Sequence, residues 1–340
     1  MIGIVSYGFY IPKYRIRTEE ICGMWGKNPE EIKTSLGINE KTVSSIDEDS
    51  LTMAYESSIM ALSDSGISPK KIQAVFFGSE TPPYIVNPSS TILAEFLGIE
   101  RKYFATDLQF ACKAATGGII SSCGLISSKE IEYSLVSASD RAVVRPHDSL
   151  EYSAASGSVS LLLGKKNVLL EVVAFESFSS DTPDFWRREG IRYPSHGGRF
   201  TGKPSYFYHI QESAKNLFHK TGLKPRDFKY TVFHMPNGRF PQEAAFSLGF
   251  TKEQIDASLI VCYLGNSYTA SGLMGLCAVL EKAKAGDFIF FASYGSGAGS
   301  DTFIFKVTKG IDSKRRKFKS IMDDKQYINY QTYLKFMEII

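Results

Sequence analysis

Four side chains that could carry out chemistry stand at matching distances in two parts of this chain. Glu80 precedes Cys112 by 32 residues, and His234 precedes Asn266 by the same distance. A thiol can act as a nucleophile, a carboxylate or an imidazole can transfer a proton, and an amide can stabilise a developing oxyanion. The matched spacing predicts one composite active site, to which one copy of a repeated unit supplies carboxylate and thiol, and the other imidazole and amide.

The positions of these residues coincide with an internal repeat. At an offset of 156 residues, Gly66, Ile67, Pro69 and Phe77 match Gly222, Leu223, Pro225 and Phe233. At an offset of 154 residues, Gly118, Cys123, Ala138 and Ser139 match Gly272, Cys277, Ala292 and Ser293. The second register pairs Cys112 with Asn266. Shared packing would account for the repeated glycines and phenylalanines, but not for reactive residues at matching strand ends.

Cys112 lies where a predicted strand passes into a glycine-rich helix. A thiol at a helix N-terminus has its thiolate stabilised by the helix dipole and by free backbone N–H groups, which lowers its pKa. The alternative is a structural cysteine, because cysteine is among the most buried residue types. The pairing with Asn266 favours the nucleophile. Cys123 and Cys277 lie inside apolar helices and are interpreted as core residues.

His234 and Glu80 each follow a predicted strand and precede a turn. His234 closes the strand Tyr230–Phe233, where we expect it to face a cleft and to titrate near neutral pH as a general acid or base. A structural histidine is the alternative. Glu80 follows the strand Ile72–Gly78, where apolar surroundings would raise its pKa and suit a base that acts on carbon. Without its partners, Glu80 would be interpreted as a surface-loop residue.

A glycine-rich loop at residues 294–300 follows another predicted buried strand. It lacks the Gly-Lys-Ser/Thr sequence of a phosphate-binding P-loop. We expect its backbone to approach an acyl thioester closely, and its N–H groups to complete an oxyanion hole.

The predicted elements occur in the same order in both halves of the chain. Each half has an amphipathic helix, an apolar strand, a helix, a strand, a small-residue helix and a buried strand. They span residues 52–63, 72–78, 89–97, 102–107, 113–127 and 133–138, and then 208–220, 230–233, 242–248, 258–263, 270–283 and 288–293. Strands alternating with helices favour a mostly parallel sheet with helices on its faces.

The two small-residue helices indicate how these elements pack. Glycine costs about 1 kcal/mol relative to alanine in a helix, so another interaction must offset the low propensity of these segments. Close packing of two central helices between two sheets would do so. We therefore predict an α/β fold of five alternating layers, αβαβα, with a pseudo-twofold axis between two duplicated halves.

Bulk properties exclude several other classes of protein. The length of 340 residues suits two similar domains, and 43% hydrophobic with 22% charged residues is ordinary for a globular protein. A net charge of +3 with both signs interspersed leaves no footprint for nucleic acid. No apolar run approaches a membrane span, and the N-terminus lacks a signal-peptide pattern. Five cysteines without C-x-x-C spacing argue against a disulfide framework or a zinc site, and indicate a cytoplasmic setting.

Motifs along the whole chain resemble those of a known enzyme family. They are YIPKYR at 10–15, GSE at 78–80, FACKA at 110–114, DTPDFWRR at 181–188, GGRFTG at 197–202, PNG at 236–238, GNS at 265–267 and SYGSGAGSD at 293–301, together with His234. The chain resembles the thiolase superfamily and, within it, the short archaeal-type hydroxymethylglutaryl-CoA synthases. The resemblance implies a thiolase-like fold of two αβαβα halves. We place them at residues 1–165, with Glu80 and Cys112, and 166–310, with His234 and Asn266, before an extension at 311–340.

The resemblance also implies an acyltransferase of the early mevalonate pathway, which leads to isoprenoids. Cys112 would carry an acetyl group from acetyl-CoA, and Glu80 would remove a proton from its methyl group. The enolate would attack the ketone of acetoacetyl-CoA beside His234 and Asn266, and water would release hydroxymethylglutaryl-CoA. By matching position, the residues that bind CoA or line the acyl pocket would be Ser153, Arg199, Thr201, Arg239, Asn266 and Ser296. No cofactor is implied besides coenzyme A thioesters as substrates, and no metal.

The resemblance extends to partners. It implies a homodimer, and archaeal members assemble with a thiolase and a small zinc-ribbon protein that passes the intermediate between sites. The loop 182–204 is long, basic and aromatic, which favours a lid or a clamp on pantetheine and phosphates over a solvated surface loop. The basic stretch 314–319 and the tail to residue 340 are interpreted as a solvated or docking extension.

Several departures from the family pattern leave the acyl donor and acceptor open. They are Glu243 in place of a common arginine, Arg239 for Lys, Met235 for Gln, Ser153 for Thr, Asn28-Pro29 for Asp-Ala, and residues 141–148. One alternative is another condensing enzyme, such as a ketoacyl synthase III-like enzyme that uses a different acyl-CoA or an acyl carrier protein. A thiolase would need a second cysteine in loop 294–300, and a ketoacyl synthase would not need Glu80. A catalytically silent subunit is a third alternative, against which four aligned reactive groups argue.

Overall fold

A computed structural model places all 340 residues of the chain. The elements up to residue 164 are β1 Gly3–Tyr10, β2 Tyr14–Arg17, α1 Thr18–Trp25, α2 Pro29–Leu36, β3 Glu40–Val43, α3 Ser50–Ser63, β4 Ile72–Gly78, α4 Ser89–Phe96, β5 Phe104–Leu108, α5 Ala114–Ser127, β6 Tyr133–Arg141 and β7 Ser156–Gly164. They are followed by β8 Leu170–Ser179, β9 Phe185–Trp186, β10 Ser195–His196, α6 Tyr208–Thr221, β11 Tyr230–Phe233, α7 Phe240–Ser247, α8 Lys252–Ile255, α9 Val261–Leu264, α10 Ser271–Leu280, β12 Phe288–Ala292 and β13 Gly299–Val307. The chain ends with α11 Phe318–Asp323, β14 Gln326–Tyr327 and α12 Tyr330–Phe336.

One large mixed sheet runs through both halves of the molecule. Its nine strands follow the order β11-β12-β13-β8-β1-β7-β6-β4-β5. The halves join where β1 pairs with β8, and only Gly3 and Ile4 of β1 take part, opposite Glu171 and Leu170. Because this junction is short, each half keeps its own group of strands, one for each copy of the repeat.

Side-chain packing divides the molecule into five layers. Alternate residues of β4 face opposite sides, as strand geometry requires: Ala74 and Phe76 join the central hydrophobic cluster, and Val75 and Phe77 join the cluster under α3 and α4. The central cluster also contains buried residues of both α5 and α10, whereas a third cluster lies between the second group of strands and α6 to α8. The predicted αβαβα architecture is therefore confirmed.

Glycines let the central helices approach the sheets closely. A Cβ on Gly118 of α5 would lie 2.9 Å from Phe76 Cβ of β4, and one on Gly275 of α10 would lie 3.3 Å from Val232 Cγ1 of β11. Real Cβ atoms rarely come so close, so a larger residue at either position would force the helix away from the sheet. The close packing that glycine permits offsets its low helix propensity. The expectation that close packing explains the glycine-dotted helices is confirmed at these two positions.

The repeat reappears as matching local structure. Gly66 and Gly222 both adopt left-handed backbone conformations, with φ of +67° and +74°. Each is followed by a short 3-10 turn, at Pro69–Lys71 and Pro225–Asp227, and then by β4 or β11. The division of the chain at residues 165 and 310 stays a prediction.

The predicted strand at 258–263 is wrong. This segment forms a 3-10 turn at Asp256–Ser258 and the helix α9. Its carbonyls do not join the sheet, because Cys262 O accepts a hydrogen bond from Asn39 N and Leu264 O accepts one from Thr42 Oγ1. The matching segment of the first half does form a strand, β5, so the two copies differ here.

Of the two expectations for the basic stretch and the tail to residue 340, the solvated extension is wrong, whereas a docking role stays a prediction. Strand β14 pairs in parallel with β2, and three side chains of the last helical segment are buried: Tyr330, Tyr333 and Met337. The basic stretch is used internally, since Lys314, Arg315 and Arg316 donate hydrogen bonds to the carbonyls of Val5, Leu280 and Tyr7.

None of the helices combines the length and apolar character needed to cross a bilayer.

Candidate active site

Cys112 occupies a tight turn between β5 and α5. Ala111 directly before it has φ of +44°, a left-handed conformation that is uncommon for a residue with a side chain. The turn closes with hydrogen bonds from Lys113 N to Phe110 O and from Ala114 N to Ala111 O. The thiol therefore lies two residues before the helix, at the position expected from the sequence.

The expected low pKa of this thiol is wrong. Cys112 Sγ donates a hydrogen bond to Glu80 Oε1 over 2.7 Å. Burial, and then the negative charge of Glu80, raise the pKa of Cys112 well above its ordinary value. In this arrangement the neutral thiol is favoured, because a thiolate would face a carboxylate.

Glu80 follows β4 and has a raised pKa, as predicted. Burial, followed by the nearby Asp140 carboxylate, raises the pKa of Glu80 to about 8. Arg187 Nη2 donates to Glu80 O over 3.1 Å and so holds the backbone rather than the carboxylate. Glu80 is thus a half-buried residue whose carboxyl group ionises in the range where general bases operate.

Asp140, near the end of β6, organises the backbone around Glu80. Its Oδ1 accepts hydrogen bonds from Ser79 Oγ, Glu80 N, and both N and Oγ1 of Thr81. Its Oδ2 accepts one from Thr269 N, beside Tyr268 in the other half of the chain. Burial raises the pKa of Asp140 to about 6, against the lowering effect of these donors. Sequence reasoning missed Asp140, although its position after the buried strand gave the same signal as that of Glu80.

His234 follows β11 and is only 2% exposed. Burial lowers the pKa of His234 to about 3, so the expectation that it titrates near neutral pH is wrong. Its backbone is fixed, because His234 N donates to Ala292 O and His234 O accepts from Tyr206 OH. Nδ1 has no hydrogen-bond partner. A neutral imidazole of this kind can donate one hydrogen bond but cannot act as a cationic acid.

Asn266 is fixed from both its backbone and its side chain. Asn266 N donates to Ser153 O over 2.7 Å, and Asn266 O accepts from Ala155 N over 3.0 Å. Asn266 Oδ1 accepts from Tyr268 N over 3.0 Å, which leaves the amide N–H groups as the donors available to a bound molecule.

A cavity of about 320 Å³, the acyl cavity, brings most of the predicted residues together. The predicted site residues on its wall are Cys112, Ser153, Thr201, His234, Asn266 and Ser296. Glu80 lies behind the thiol, in a second cavity of about 520 Å³ that also contains Arg141, Arg187 and Arg192. The hydrogen bond between Glu80 and Cys112 joins the two spaces.

Arg199 and Arg239 lie outside the acyl cavity. Arg199 is exposed, and Arg239 Nε donates to Thr34 O over 2.7 Å beside Glu30 and Glu31. The structure therefore does not bring these two cations to the reacting groups. Segment 182–204 does reach the cavity, through residues that sequence reasoning did not assign: Asp184, Phe185, His196 and Gly198.

The sequence predicts that N–H groups of the glycine loop at 294–300 complete an oxyanion hole. Four of these groups cannot do so, because they already donate to protein acceptors: those of Gly295, Gly297, Ala298 and Gly299. Gly295 instead permits close packing on the turn that holds Cys112, because a Cβ there would lie 2.4 Å from Phe110 O. Ser296 of the same loop lies on the acyl cavity.

Comparison with known proteins agrees with this arrangement. Residues 218–307 match the family model described as 3-oxoacyl-[acyl-carrier-protein (ACP)] synthase III C terminal. The hydroxymethylglutaryl-CoA synthase of Archaeoglobus fulgidus is 49% identical over 337 residues, with 98% of each chain covered. That of Pyrobaculum aerophilum is 47% identical over 343 residues, with 100% of this chain and 98% of that protein covered.

Solved structures show the same fold. MvaS in complex with 3-hydroxy-3-methylglutaryl coenzyme A superposes with a TM-score of 0.91 at 22% identity, over 99% of this chain and 91% of that one. The curacin biosynthetic pathway HMG synthase in complex with holo donor-ACP gives 0.90 at 19% identity, over 99% and 88% of the chains. The fold, the site geometry and the full-length identity to archaeal relatives together establish that this chain belongs to the hydroxymethylglutaryl-CoA synthase family of condensing acyltransferases.

Proposed function

We propose that the chain condenses acetyl-CoA with acetoacetyl-CoA to hydroxymethylglutaryl-CoA, an early step of the mevalonate pathway. One observation carries this proposal. The Cys112 thiol donates a 2.7 Å hydrogen bond to Glu80 and opens onto a cavity that His234 and Asn266 also line.

In the first step, the sulfur of Cys112 attacks the acetyl carbonyl carbon of acetyl-CoA. The bond from that carbon to the CoA sulfur breaks, and the thiol proton leaves with the free thiol of CoA. The product is an acetyl thioester on Cys112.

In the second step, Glu80 takes a proton from the acetyl methyl group, and the resulting enolate carbon attacks the ketone carbon of acetoacetyl-CoA. A tertiary alkoxide forms and must be protonated. Because burial lowers the pKa of His234 to about 3, we assign this proton to Glu80, which gained one in the preceding transfer. His234 and Asn266 hold the ketone oxygen as neutral donors.

In the last step, water attacks the thioester carbonyl on Cys112. The carbon–sulfur bond breaks, one proton of the water returns to the sulfur of Cys112, and the other passes to solvent as the new carboxyl group of hydroxymethylglutaryl-CoA ionises. The second cavity, on the Glu80 side, gives water a route that does not pass through the acyl cavity.

The substrates enter as coenzyme A thioesters, and the reaction as written uses no further cofactor and no metal. Ser153, Thr201 and Ser296 are proposed to contact the acyl and pantetheine parts, because they line the acyl cavity. Arg199 and Arg239 are proposed to contact the outer part of CoA, since both lie beyond the cavity.

A second candidate donor is an acyl carrier protein. Glu243 is exposed in the first turn of α7, where it reverses the charge expected for contact with a CoA phosphate. A structural neighbour of the chain was solved in complex with its holo donor-ACP. Comparing acetyl transfer from acetyl-CoA and from an acetylated carrier protein separates the two donors.

The chain is further proposed to work as a cytoplasmic homodimer. Strand β5 is the last strand of the sheet and carries the exposed Phe104, and the nearby loop exposes Ile85 and Val86 by 78% and 91%. An unpaired edge with adjacent apolar side chains favours pairing with a second copy. Assembly with a thiolase and a zinc-ribbon protein remains a proposal that follows from the family.

Labelled acetyl-CoA tests the proposed function. We expect the label to map to Cys112, and acetoacetyl-CoA to discharge it as hydroxymethylglutaryl-CoA. Label on Cys112 without discharge would point to another condensing enzyme, and an unlabelled protein would point to a silent subunit.

The variant Glu80→Ala tests the assignment of the base. It should keep acetyl transfer, because removing the Glu80 charge lowers the pKa of Cys112. Condensation should fall by about 10³-fold, which is the scale of general-base catalysis. Unchanged condensation would remove Glu80 from the mechanism.

A further inference from the structure

One contact of the C-terminal segment with the active site runs through a buried carboxylate, Glu151. The residue is 0% exposed, and its Oε1 accepts a hydrogen bond from Tyr330 OH over 2.7 Å. Its Oε2 accepts hydrogen bonds from Trp25 Nε1 over 2.9 Å and from His147 N over 2.8 Å. Tyr330 begins α12 and Trp25 ends α1, so distant segments converge on this side chain.

The backbone around Glu151 forms one wall of the acyl cavity. Glu151 belongs to the 3-10 turn Ser149–Tyr152, and Leu150 and Ser153 on either side of it line the cavity. Ser153 O accepts the 2.7 Å hydrogen bond from Asn266 N described above. A shift of this turn would therefore displace Asn266.

No lysine or arginine side chain pairs with the Glu151 carboxylate. The nearest cation, Lys41 Nζ, donates to the backbone oxygen of Glu151 instead. A buried carboxylate that no cation contacts directly depends on its hydrogen-bond donors, and its donors in turn fix its position. Tyr330 is the single donor to Oε1, so its hydroxyl is the contact through which the C-terminal segment holds the carboxylate. Lys41 Nζ, which also donates to Tyr333 OH, links the same segment to the backbone of the turn and is kept when the Tyr330 hydroxyl is removed.

We propose that Glu151, held by Tyr330, is a positioning residue that sets the place of Asn266 for the condensation step. The proposal rests on the role proposed above for Asn266. Cys112 and Glu80 are placed by β4, β5 and α5, not by the turn at Ser149–Tyr152. Loss of the Tyr330 hydroxyl should therefore slow condensation and leave acetyl transfer to Cys112 unchanged.

The variant Tyr330→Phe tests this proposal, with Tyr327→Phe as its matched control. Tyr327 lies in the same C-terminal segment and also donates to a buried glutamate, Glu40, over 2.7 Å. Glu40 belongs to β3 and does not line the acyl cavity. We expect Tyr330→Phe to lower kcat of condensation by about tenfold to about a hundredfold, the scale on which misplaced groups slow a reaction. Tyr327→Phe should leave kcat unchanged.

The split between partial reactions separates positioning from general destabilisation. Acetylation of Cys112 in Tyr330→Phe should match the parent chain, whereas a merely structural role would lower acetylation and condensation together. Glu151→Gln should show the same split, because its amide group presents a donor to groups that themselves donate. Equal effects of the two tyrosine variants, or a parallel loss of both steps, would overturn the proposal.

Hydrogen exchange keeps this test independent of the proposed function. Exchange at the Asn266 amide should speed up in Tyr330→Phe and stay unchanged in Tyr327→Phe, since only the first variant loosens the acceptor turn. If the parent chain fails to form hydroxymethylglutaryl-CoA but this difference appears, the proposed function fails while the structural link stands. Identical exchange in both variants would refute the link itself.

Discussion

At the scale of single residues, the reactive centre is a thiol and a carboxylate that share a hydrogen bond and are both half-buried. Desolvation raises the pKa of both groups. The charge of Glu80 raises the pKa of Cys112 further, whereas the hydrogen bond from Cys112 lowers the pKa of Glu80. In the resting state Cys112 and Glu80 therefore both tend to be protonated. The pKa of Glu80 sets the pH above which its carboxylate is available as a base.

The condensation rate should rise with pH. Only the ionised carboxylate of Glu80 can take the methyl proton, and because the pKa of Glu80 is raised to about 8, the carboxyl is largely protonated below that value. We expect kcat to increase between about pH 7 and about pH 9 and to level off above about pH 9. Asp140→Asn removes a negative charge that raises the pKa of Glu80, so it should move the rise to lower pH. A rate that is flat or falls over this range would contradict the assignment.

His234 should stay neutral wherever the enzyme is active. Burial lowers the pKa of His234 to about 3, because a charged imidazole would lose its hydration inside the protein. We expect the ring-carbon resonance of His234, assigned with His234→Gln, to stay constant between about pH 5 and about pH 8. A titration midpoint in that window would restore the role of cationic acid.

Matched spacing in the sequence was enough to select Glu80, Cys112, His234 and Asn266, whose catalytic roles stay predictions. The raised pKa of Glu80 could also be predicted from its apolar surroundings, but the pKa shifts of Cys112 and His234 could not. The pKa of His234 depends on burial beside Tyr206 and Tyr294, which lie far away in the sequence. Long-range packing of this kind leaves no local pattern to read.

At the scale of elements, close packing of α5 on the sheet should make two glycines of one helix respond in opposite ways. A Cβ on Gly118 would meet Phe76 Cβ at 2.9 Å, whereas one on Gly124 would meet no atom within 4 Å. Gly118→Ala should therefore lower the free energy of unfolding by about 1–3 kcal/mol through overpacking. Gly124→Ala should raise it by up to about 1 kcal/mol through helix propensity.

Denaturant unfolding of both variants against the parent chain measures this difference. The two substitutions add the same methyl group to the same helix, so propensity alone would give them the same sign. A stabilising Gly118→Ala would show that the sheet and helix can separate without cost.

The repeat predicted most elements of the second half but failed at residues 258–263. The sequence of this segment, Ser-Leu-Ile-Val-Cys-Tyr, predicts a strand when taken alone. In the structure it forms α9 instead, and its carbonyls accept hydrogen bonds from the segment around β3. Tertiary contacts overrode local preference: β11, the counterpart of the β4 strand that β5 pairs with, lies at the edge of the sheet, but this segment bonds to residues beside β3 instead. Duplication therefore predicts the common framework better than its edges.

At the scale of the whole molecule, the site exists only because two halves meet. Asp140 of the first half accepts the backbone N–H of Thr269 in the second half, and Ser153 O accepts that of Asn266. The first half thus fixes the loop of the second half that carries Asn266, and Arg187 of the second half in turn donates to Glu80 O. Neither half would form this site alone.

The same reasoning applied to the outer surface predicts a dimer through β5. This strand pairs only with β4 inside the chain, so its other edge keeps free hydrogen-bonding groups beside the exposed Phe104. An antiparallel pairing of two copies about a twofold axis would satisfy that edge and cover the apolar loop with Ile85 and Val86.

Sedimentation should give twice the mass of the chain. The variant Phe104→Asp should shift the protein to the monomer at micromolar concentration, because a carboxylate cannot be buried at the centre of such a contact. Phe246→Asp, on the exposed face of α7, adds the same charge away from β5 and should leave the mass unchanged. Dissociation by both variants, or by neither, would place the contact elsewhere.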